Sequence, residues 1–274
     1  MDQARRSPVA MVSDFGLIDS YVGVMKGVIL GIAPGVSIVD ITHQMPPQNV
    51  AAARFTLGTA VKYFPEGTVF LAVVDPGVGT QRRAIALNVD NHYFVGPDNG
   101  IFSAILEHPS AIAAVALTNP NYWRTPAPRT TFHGRDIFAP AAAHLANGVP
   151  LQALGEAIAP ETLTRLTPPK PQTTSNGWVG HIQSIDHFGN LITTIPGEWV
   201  TDASWFIQTE QDSIPGGQTY GVAQPGQLVA LVGSHGWVEI AQNQGNGAIA
   251  LGLTYGDQVH IITEKSGSSR FQTE

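Results

Sequence analysis

The stretch Thr68-Val69-Phe70-Leu71-Ala72-Val73-Val74-Asp75-Pro76-Gly77-Val78-Gly79-Thr80-Gln81-Arg82-Arg83 decides how the chain folds. Its first seven residues are apolar or β-branched without a polar interruption, the pattern of a strand covered on both faces in a parallel sheet. Asp75 then rides onto a glycine turn with two arginines just beyond it. Ligands of such sheets sit in the crevice beyond the carboxyl ends of the strands, which puts Asp75 where chemistry is usually placed. Taken alone, Asp75-Pro76-Gly77 reads more readily as a structural turn ahead of a surface arginine; the neighbouring segments shift that balance.

Outward from this strand, strand-like and helix-like segments alternate. Val9 to Val12 reads as a strand ending at Ser13-Asp14-Phe15-Gly16, and Asp19 can cap a helix with Val22, Met25 and Ile29 on one face. Val36 to Asp40 reads as a second strand, and Asn49 begins a helix through Ala51 to Tyr63. Asp90-Asn91 marks a hairpin, and a helix after Asp136 stops near Asn147-Gly148. This alternation predicts an α/β fold with a mostly parallel N-terminal sheet flanked by helices. At Thr167-Pro168-Pro169-Lys170-Pro171 a proline cluster reads as a linker. Helical periodicity then disappears. Apolar runs at Trp178 to Ile185, Leu191 to Ile195, Gln227 to Val232, Trp237 to Ala241, Ala248 to Leu253 and Gln258 to Ile262 predict a smaller C-terminal antiparallel β-barrel. The expected division is an α/β domain over 1–167, a linker over 168–171 and a barrel domain over 172–274.

Composition narrows the function classes. Hydrophobic residues make up 43% of the 274 and charged residues only 13%, which describes a folded globular protein with surface to spare for other subunits. A net charge of −7 without a basic run argues against a nucleic-acid partner. With no cysteine, disulfides, thiolate metal sites and cysteine nucleophiles are excluded. Met1 to Ser7 runs into the first strand without an apolar signal core, and no segment reaches the length of a membrane span, so a soluble cytoplasmic protein is expected.

Polar residues gather at the expected strand ends and loops: Asp14, Asp40, His43, Asp75, Arg82, Asp98, Asn99, His133, Arg135 and Asp136. Several stand beside glycine, which lets backbone approach a ligand closely or turn sharply. Asp98 and Asp136 read instead as caps, each where a helix would begin.

The ordered segments Ser13-Asp14-Phe15-Gly16, Tyr21-Val22-Gly23-Val24-Met25-Lys26-Gly27, Ile41-Thr42-His43-Gln44-Met45-Pro46-Pro47-Gln48, Val74-Asp75-Pro76-Gly77-Val78-Gly79, Gly96-Pro97-Asp98-Asn99-Gly100 and Thr131-Phe132-His133-Gly134-Arg135-Asp136, with Asp186-His187-Phe188-Gly189-Asn190 and Gly233-Ser234 further on, resemble the S-adenosyl-L-methionine hydroxide adenosyltransferases. These are relatives of the fluorinase and chlorinase enzymes. The resemblance spans almost the whole chain. It implies that water, acting as hydroxide, displaces L-methionine from the ribose 5′ carbon and leaves adenosine. It implies a catalytic triad of Asp75, Arg82 and His133, no cofactor, and no metal. Asp14 is expected to hold the ribose hydroxyls, Asp186 the methionine ammonium, Phe188 and Asn190 the adenine, and Ser234 the methionine carboxylate. It further implies a homotrimer with the site between subunits. Asp75 and Gly134 depart from the residue types of the halogenases and point to water as nucleophile. The Asp186 to Asn190 segment is one residue shorter than theirs, and His235 stands where they carry an arginine. Phe188 reads equally as a core residue and His235 as a solvated turn residue.

A neutral thioether leaving a sulfonium needs no general acid, so the difficulty lies in making a nucleophile from water. Arg82 beside Asp75 opposes proton uptake there. A division of labour is therefore expected in which Asp75 orients and polarises the water while Arg82 and His133 stabilise the developing hydroxide. Two other classes compete. Asp14, Asp40, His43, Asp75 and His133 are all possible ligands for a metal-dependent hydrolase, though no tight ligand spacing is present. A non-catalytic nucleoside or S-adenosylmethionine binding protein would use the same cleft without turnover.

Overall fold

A computed structural model describes residues 7–107, 109, 111–200, 204–209 and 213–263. Met1 to Arg6, read above for a signal core, lie outside the described residues. The chain forms two compact units that part between Thr167 and Pro168.

The first unit is built on a mixed sheet of β1 (Val9–Ser13), β2 (Ile38–Thr42), β3 (Val69–Val73), β4 (Ala84–Val89), β5 (His92–Pro97), β6 (Ile112–Ala116) and β7 (Glu156–Ala157), in the order β2-β1-β3-β5-β4-β6-β7. The four strands from β2 to β5 run parallel, and the pairs beyond β5 are antiparallel. All five residues of β3 are buried, as its uninterrupted apolar run requires. Helices α1 (Tyr21–Ile32) and α3 (Ala139–Ala146) cover one face, where Met25, Ile29, Ala142 and Leu145 pack on Met11 and Leu71. Helix α2 (Val50–Ala60) covers the other through Ala53 and Leu57, which join a cluster with the stacked rings of Phe70 and Phe94, 5.2 Å apart.

Local chemistry accounts for most boundaries. Asn49 caps α2, its Oδ1 accepting the Ala52 N–H at 2.9 Å. Asp90 and Asn91 both take positive φ, as a two-residue hairpin turn requires. The N-cap of α1, however, is Ser20 rather than Asp19, and no side chain bonds there.

The second unit is an antiparallel ring of β8 (Gln172–Thr173), β9 (Gly177–Ile185), β10 (Leu191–Pro196), β11 (Trp205–Gln208), β12 (Ser213–Pro215), β13 (Leu228–Val232), β14 (Trp237–Gln242) and β15 (Gln258–Thr263). Its strand path is β12-β11-β15-β9-β10-β14-β13, with β8 beside β9. A parallel bridge from Gly216 to Ala230 nearly closes the two ends. The run expected as a strand over Ala248 to Leu253 is instead the short helix α4 (Gly247–Leu251). Asn246 accepts from the Ile249 N–H at 2.9 Å and Gly252 ends the helix at φ +64°; these flanking signals outweigh a run too short to show its own period.

The core reading yields a direct expectation. Phe94→Ala, at a fully buried position, lowers stability by about 3–5 kcal/mol, whereas Tyr63→Ala, 72% exposed, leaves it within about 0.5 kcal/mol. Urea denaturation of the two variants checks this.

Candidate active site

From β1 the chain turns toward β2, and from β3 toward β4 and β5, so a crevice opens beyond the carboxyl ends of β1 and β3. Asp14 follows β1 and Asp75 follows β3. A cavity of about 460 Å³ lies there, of a size that suits a small organic ligand. Asp14, Gln48, Asp75 and His133 supply its polar lining, and Phe15, Tyr21, Val78 and Phe132 its apolar walls.

Asp75, Arg82 and His133 meet in one cluster. Arg82 Nε donates to Asp75 Oδ1 at 2.9 Å, and Arg82 Nη2 donates both to Asp75 Oδ2 and to His133 Nδ1, the latter at 2.8 Å. The Asp75 side chain is 6% exposed and that of Arg82 10%. Such burial makes the pairing directional and hard to break. The ring of Phe138 lies 5.2 Å from the guanidinium carbon. Since arginine only donates, His133 Nδ1 is an acceptor and its proton sits on Nε2. Burial, and then the Arg82 charge, push the His133 pKa below its ordinary value, so the neutral ring prevails near neutrality.

Three separate segments hold this cluster in place. Asn99 Nδ2 donates to the carbonyl of Val74 at 2.8 Å and fixes the strand end before Asp75. Gly79 has φ +76°, and a Cβ there would lie 2.5 Å from the Thr130 carbonyl oxygen; glycine is what lets the Asp75 loop approach the His133 loop. His133 itself precedes a π-turn, Gly134–Phe138, leading into α3. Pro140 lacks an N–H, which frees the Asp136 carbonyl to accept from Arg124 N at 2.9 Å. Such turns recur at functional sites.

Asp136 is not a cap. Fully buried, it accepts from Arg124 Nε and from Arg135 Nε and Nη2 at 2.7 Å each, and from the Arg129 N–H at 2.9 Å, tying down the loop that ends at His133. Its pKa lies far below the carboxylate range: burial opposes the charge, but the arginine hydrogen bonds prevail. Asp98 likewise caps nothing, since Arg83 Nε reaches it at 2.8 Å and the Thr164 N–H at 2.8 Å. The adjacent arginines thus part, Arg82 toward Asp75 and His133 and Arg83 toward Asp98.

Asp14 Oδ2 accepts the Gln48 N–H at 2.8 Å, and Gln48 holds the left-handed conformation at φ +65° to present it. Sequence reasoning missed Gln48 and also the aromatic wall. Phe15, Tyr21 and Phe132 have ring centroids 5.3–5.8 Å apart, and Phe15 and Phe132 stand immediately beside the polar residues that were singled out.

The other expected site residues belong to the second unit. Asp186, Phe188 and Asn190 share one loop, in which Asp186 Oδ1 accepts from Phe188 N and Asn190 N and Oδ2 from Asn190 Nδ2, each at 2.9 Å. Phe188 is 70% exposed and so is no core residue. Ser234 is exposed in the turn between β13 and β14. His235 is no solvated turn residue: its Nε2 lies 2.9 Å from Oε2 of the buried Glu239, whose Oε1 accepts from the Tyr220 hydroxyl. Burial and the Glu239 carboxylate push the Tyr220 pKa up. Among the described residues, no three His, Cys, Asp or Glu side chains converge as metal ligands, and no helix is long and apolar enough to cross a membrane.

Residues 9–155 match the family model described as SAM hydroxide adenosyltransferase N-terminal domain, and residues 180–260 match its C-terminal domain counterpart. The chain is similar to the (R)-S-adenosyl-L-methionine hydrolase of Thermus thermophilus, with 43% identity over 93% of this chain and 99% of the relative. A fluorinase of Actinoplanes sp. is 32% identical over 86% of this chain and 90% of its own. Among solved structures, an uncharacterized conserved protein from Thermotoga maritima superposes with a TM-score of 0.87 at 35% identity, over 93% of this chain and 99% of the other.

Two outcomes are expected from this geometry. Gly79→Ala pushes the Asp75 and His133 loops apart and lowers turnover about a hundredfold, measured under substrate saturation. The His133 ring titrates below 6.5 in a proton NMR titration. The unfolded chain binds that proton more readily than the folded one, so stability rises with pH from the folded midpoint up to about 6.5 and is lost in acid.

Proposed function

The chain belongs to the SAM hydroxide adenosyltransferase family, and on that premise we propose that it hydrolyses S-adenosyl-L-methionine to adenosine and L-methionine. The observation that carries this reading is the Arg82-bridged Asp75 and His133 at the wall of an apolar-sided cavity. Arg82 occupies one lone pair on each Asp75 oxygen, and the remaining pairs are acceptors for a water molecule. Asp75 orients that water. With its Nδ1 engaged by Arg82, His133 has only the Nε2–H to offer, so it stabilises a developing hydroxide as a donor. A C5′–O bond forms as the C5′–S bond breaks, the sulfonium's electron pair returns to the thioether, and the water's second proton is released to solvent.

Attack by hydroxide on a sulfonium neutralises opposite charges, a step favoured where water is excluded. Phe15, Tyr21 and Phe132 supply such walls. Asp14 holds the ribose hydroxyls in this reading, Asp186 the methionine ammonium, Phe188 and Asn190 the adenine, and Ser234 the methionine carboxylate. The exposure of Phe188 suits a stacking role. No cofactor or metal enters the mechanism. The assembly is read as a homotrimer with the site between subunits, supported by exposed apolar side chains at Leu17, Ile18, Phe188 and Ile249 and by the low charge density. The substrate is the (R)-sulfonium epimer, following the name of the Thermus thermophilus relative.

Chromatography after incubation with the two epimers tests this: equal amounts of adenosine and methionine from the (R) form support it, and unchanged ligand or a halide-dependent 5′-halo product overturns it. Asp75→Ala lowers turnover by about a thousandfold while largely sparing adenosine affinity. Asp14→Ala instead raises the adenosine dissociation constant about tenfold to a hundredfold, as loss of hydrogen bonds to a charged group implies. Calorimetry and steady-state kinetics separate the two effects.

A further inference from the structure

Asp40 and His43, both read from the sequence as possible metal ligands, lie outside the cluster of Asp75, Arg82 and His133. They form a chain of their own. Lys26 Nζ donates to Asp40 Oδ2 at 2.6 Å, Asp40 Oδ1 lies 3.0 Å from His43 Nε2, and His43 Nδ1 lies 2.7 Å from Ser13 Oγ. The chain passes from a half-exposed carboxylate to a histidine and a serine that are 3% and 1% exposed. Hydrogen bonds from Lys26 and His43 outweigh burial and hold Asp40 below the usual carboxylate range, so it accepts only. In the neutral ring Nε2–H therefore donates to Asp40, and Nδ1 is left to accept the Ser13 hydroxyl.

The direction of that hydroxyl matters to its neighbours. With its proton committed to His43, Ser13 Oγ turns its acceptor side to the Phe15 N–H, 3.4 Å away. Ser13, Asp14 and Phe15 are consecutive, and the latter two line the cavity. Backbone bonds join the same two loops: Gly16 N–H to the His43 carbonyl at 2.7 Å and Met45 N–H to the Ser13 carbonyl at 3.4 Å. The second loop then returns the Gln48 N–H to Asp14. His43 is thus the buried side-chain tie between the turn that carries Asp14 and the loop that orients it.

We infer that His43, acting through Ser13, is a positioning residue that presets the Asp14 carboxylate for a vicinal diol such as that of a ribose. The inference rests on the ribose-holding role read for Asp14 above. It separates two halves of the site, because Asp75, Arg82 and His133 hang from β3, its following loop and the turn before α3. Disturbing the tie should weaken grip on the nucleoside and leave the chemical step alone.

The test compares Ser13→Ala, His43→Phe and His43→Asn with the unaltered protein, measuring adenosine affinity by calorimetry and KM and kcat on S-adenosyl-L-methionine. Expected for Ser13→Ala and His43→Phe is about a tenfold rise in adenosine Kd and in KM, with kcat within about twofold. Asn presents Oδ1 near the position of Nδ1, so His43→Asn recovers most of the affinity. Unchanged adenosine Kd in Ser13→Ala overturns the inference, as does a uniform loss of kcat or of folded protein with KM intact, which marks a merely structural tie. If His43→Phe fails to fold, Ser13→Ala decides, since it removes one oxygen. Should the unaltered protein bind adenosine but leave S-adenosyl-L-methionine intact, the proposed reaction fails while the affinity comparison still judges His43.

Discussion

Arg82 is the constraint that joins Asp75 to His133 at the wall of the first unit's cavity. One guanidinium holds the carboxylate that follows β3 and the imidazole that precedes α3, two groups that the chain brings from segments 58 residues apart (133 − 75). Because the Asp75 and Arg82 side chains are largely out of water, each is strongly committed to its partners. The tautomer of His133 and the two faces of Asp75 left for a ligand both follow from where that one cation sits. Around it, Gly79, Asn99 and the buried Asp136 fix the loops that carry the cluster.

Hydrolysis of S-adenosyl-L-methionine poses a particular chemical difficulty. A sulfonium leaves readily, and the slow part is to present water as a nucleophile without solvating it. In the proposed mechanism a donor already aimed at the incipient hydroxide, set among aromatic walls, meets that demand better than a strong base would. Arginine, whose charge is not lost at any relevant pH, suits a permanent tie between the carboxylate and the imidazole. Burial and that same arginine keep the His133 ring neutral at a pH where a freely solvated ring would be partly protonated, which leaves its Nε2–H as a donor.

Elements with strong local signals were legible in the sequence. The apolar run of β3, the buried face of α1 at Val22, Met25 and Ile29, the Asn49 cap and the Asp90-Asn91 turn each carry their own physical cause. What escaped was decided at a distance or by small local balances. Asp136 looks like a cap in the sequence, yet arginines at 124 and 135 and the missing N–H of Pro140 make it the anchor of a π-turn. The four-residue strand β11 and the three-residue strand β12 were too short to announce themselves, and α4 was mistaken for a strand because only its flanking Asn246 and Gly252 distinguish it. Asp75, Arg82 and His133 could be listed from the sequence, but their meeting is tertiary and rested there on a family resemblance. The chain from Lys26 to Ser13 had no sequence signal beyond the presence of its polar members.

Hydrolysis in water enriched in oxygen-18 addresses the central claim without intermediaries. If a solvent molecule held by Asp75 attacks the ribose 5′ carbon, the heavy isotope appears in the 5′ hydroxyl of adenosine and nowhere in methionine. Adenosine carrying only the ordinary isotope, or label delivered to the methionine instead, would mean that the attack occurs elsewhere and that this cluster serves another purpose.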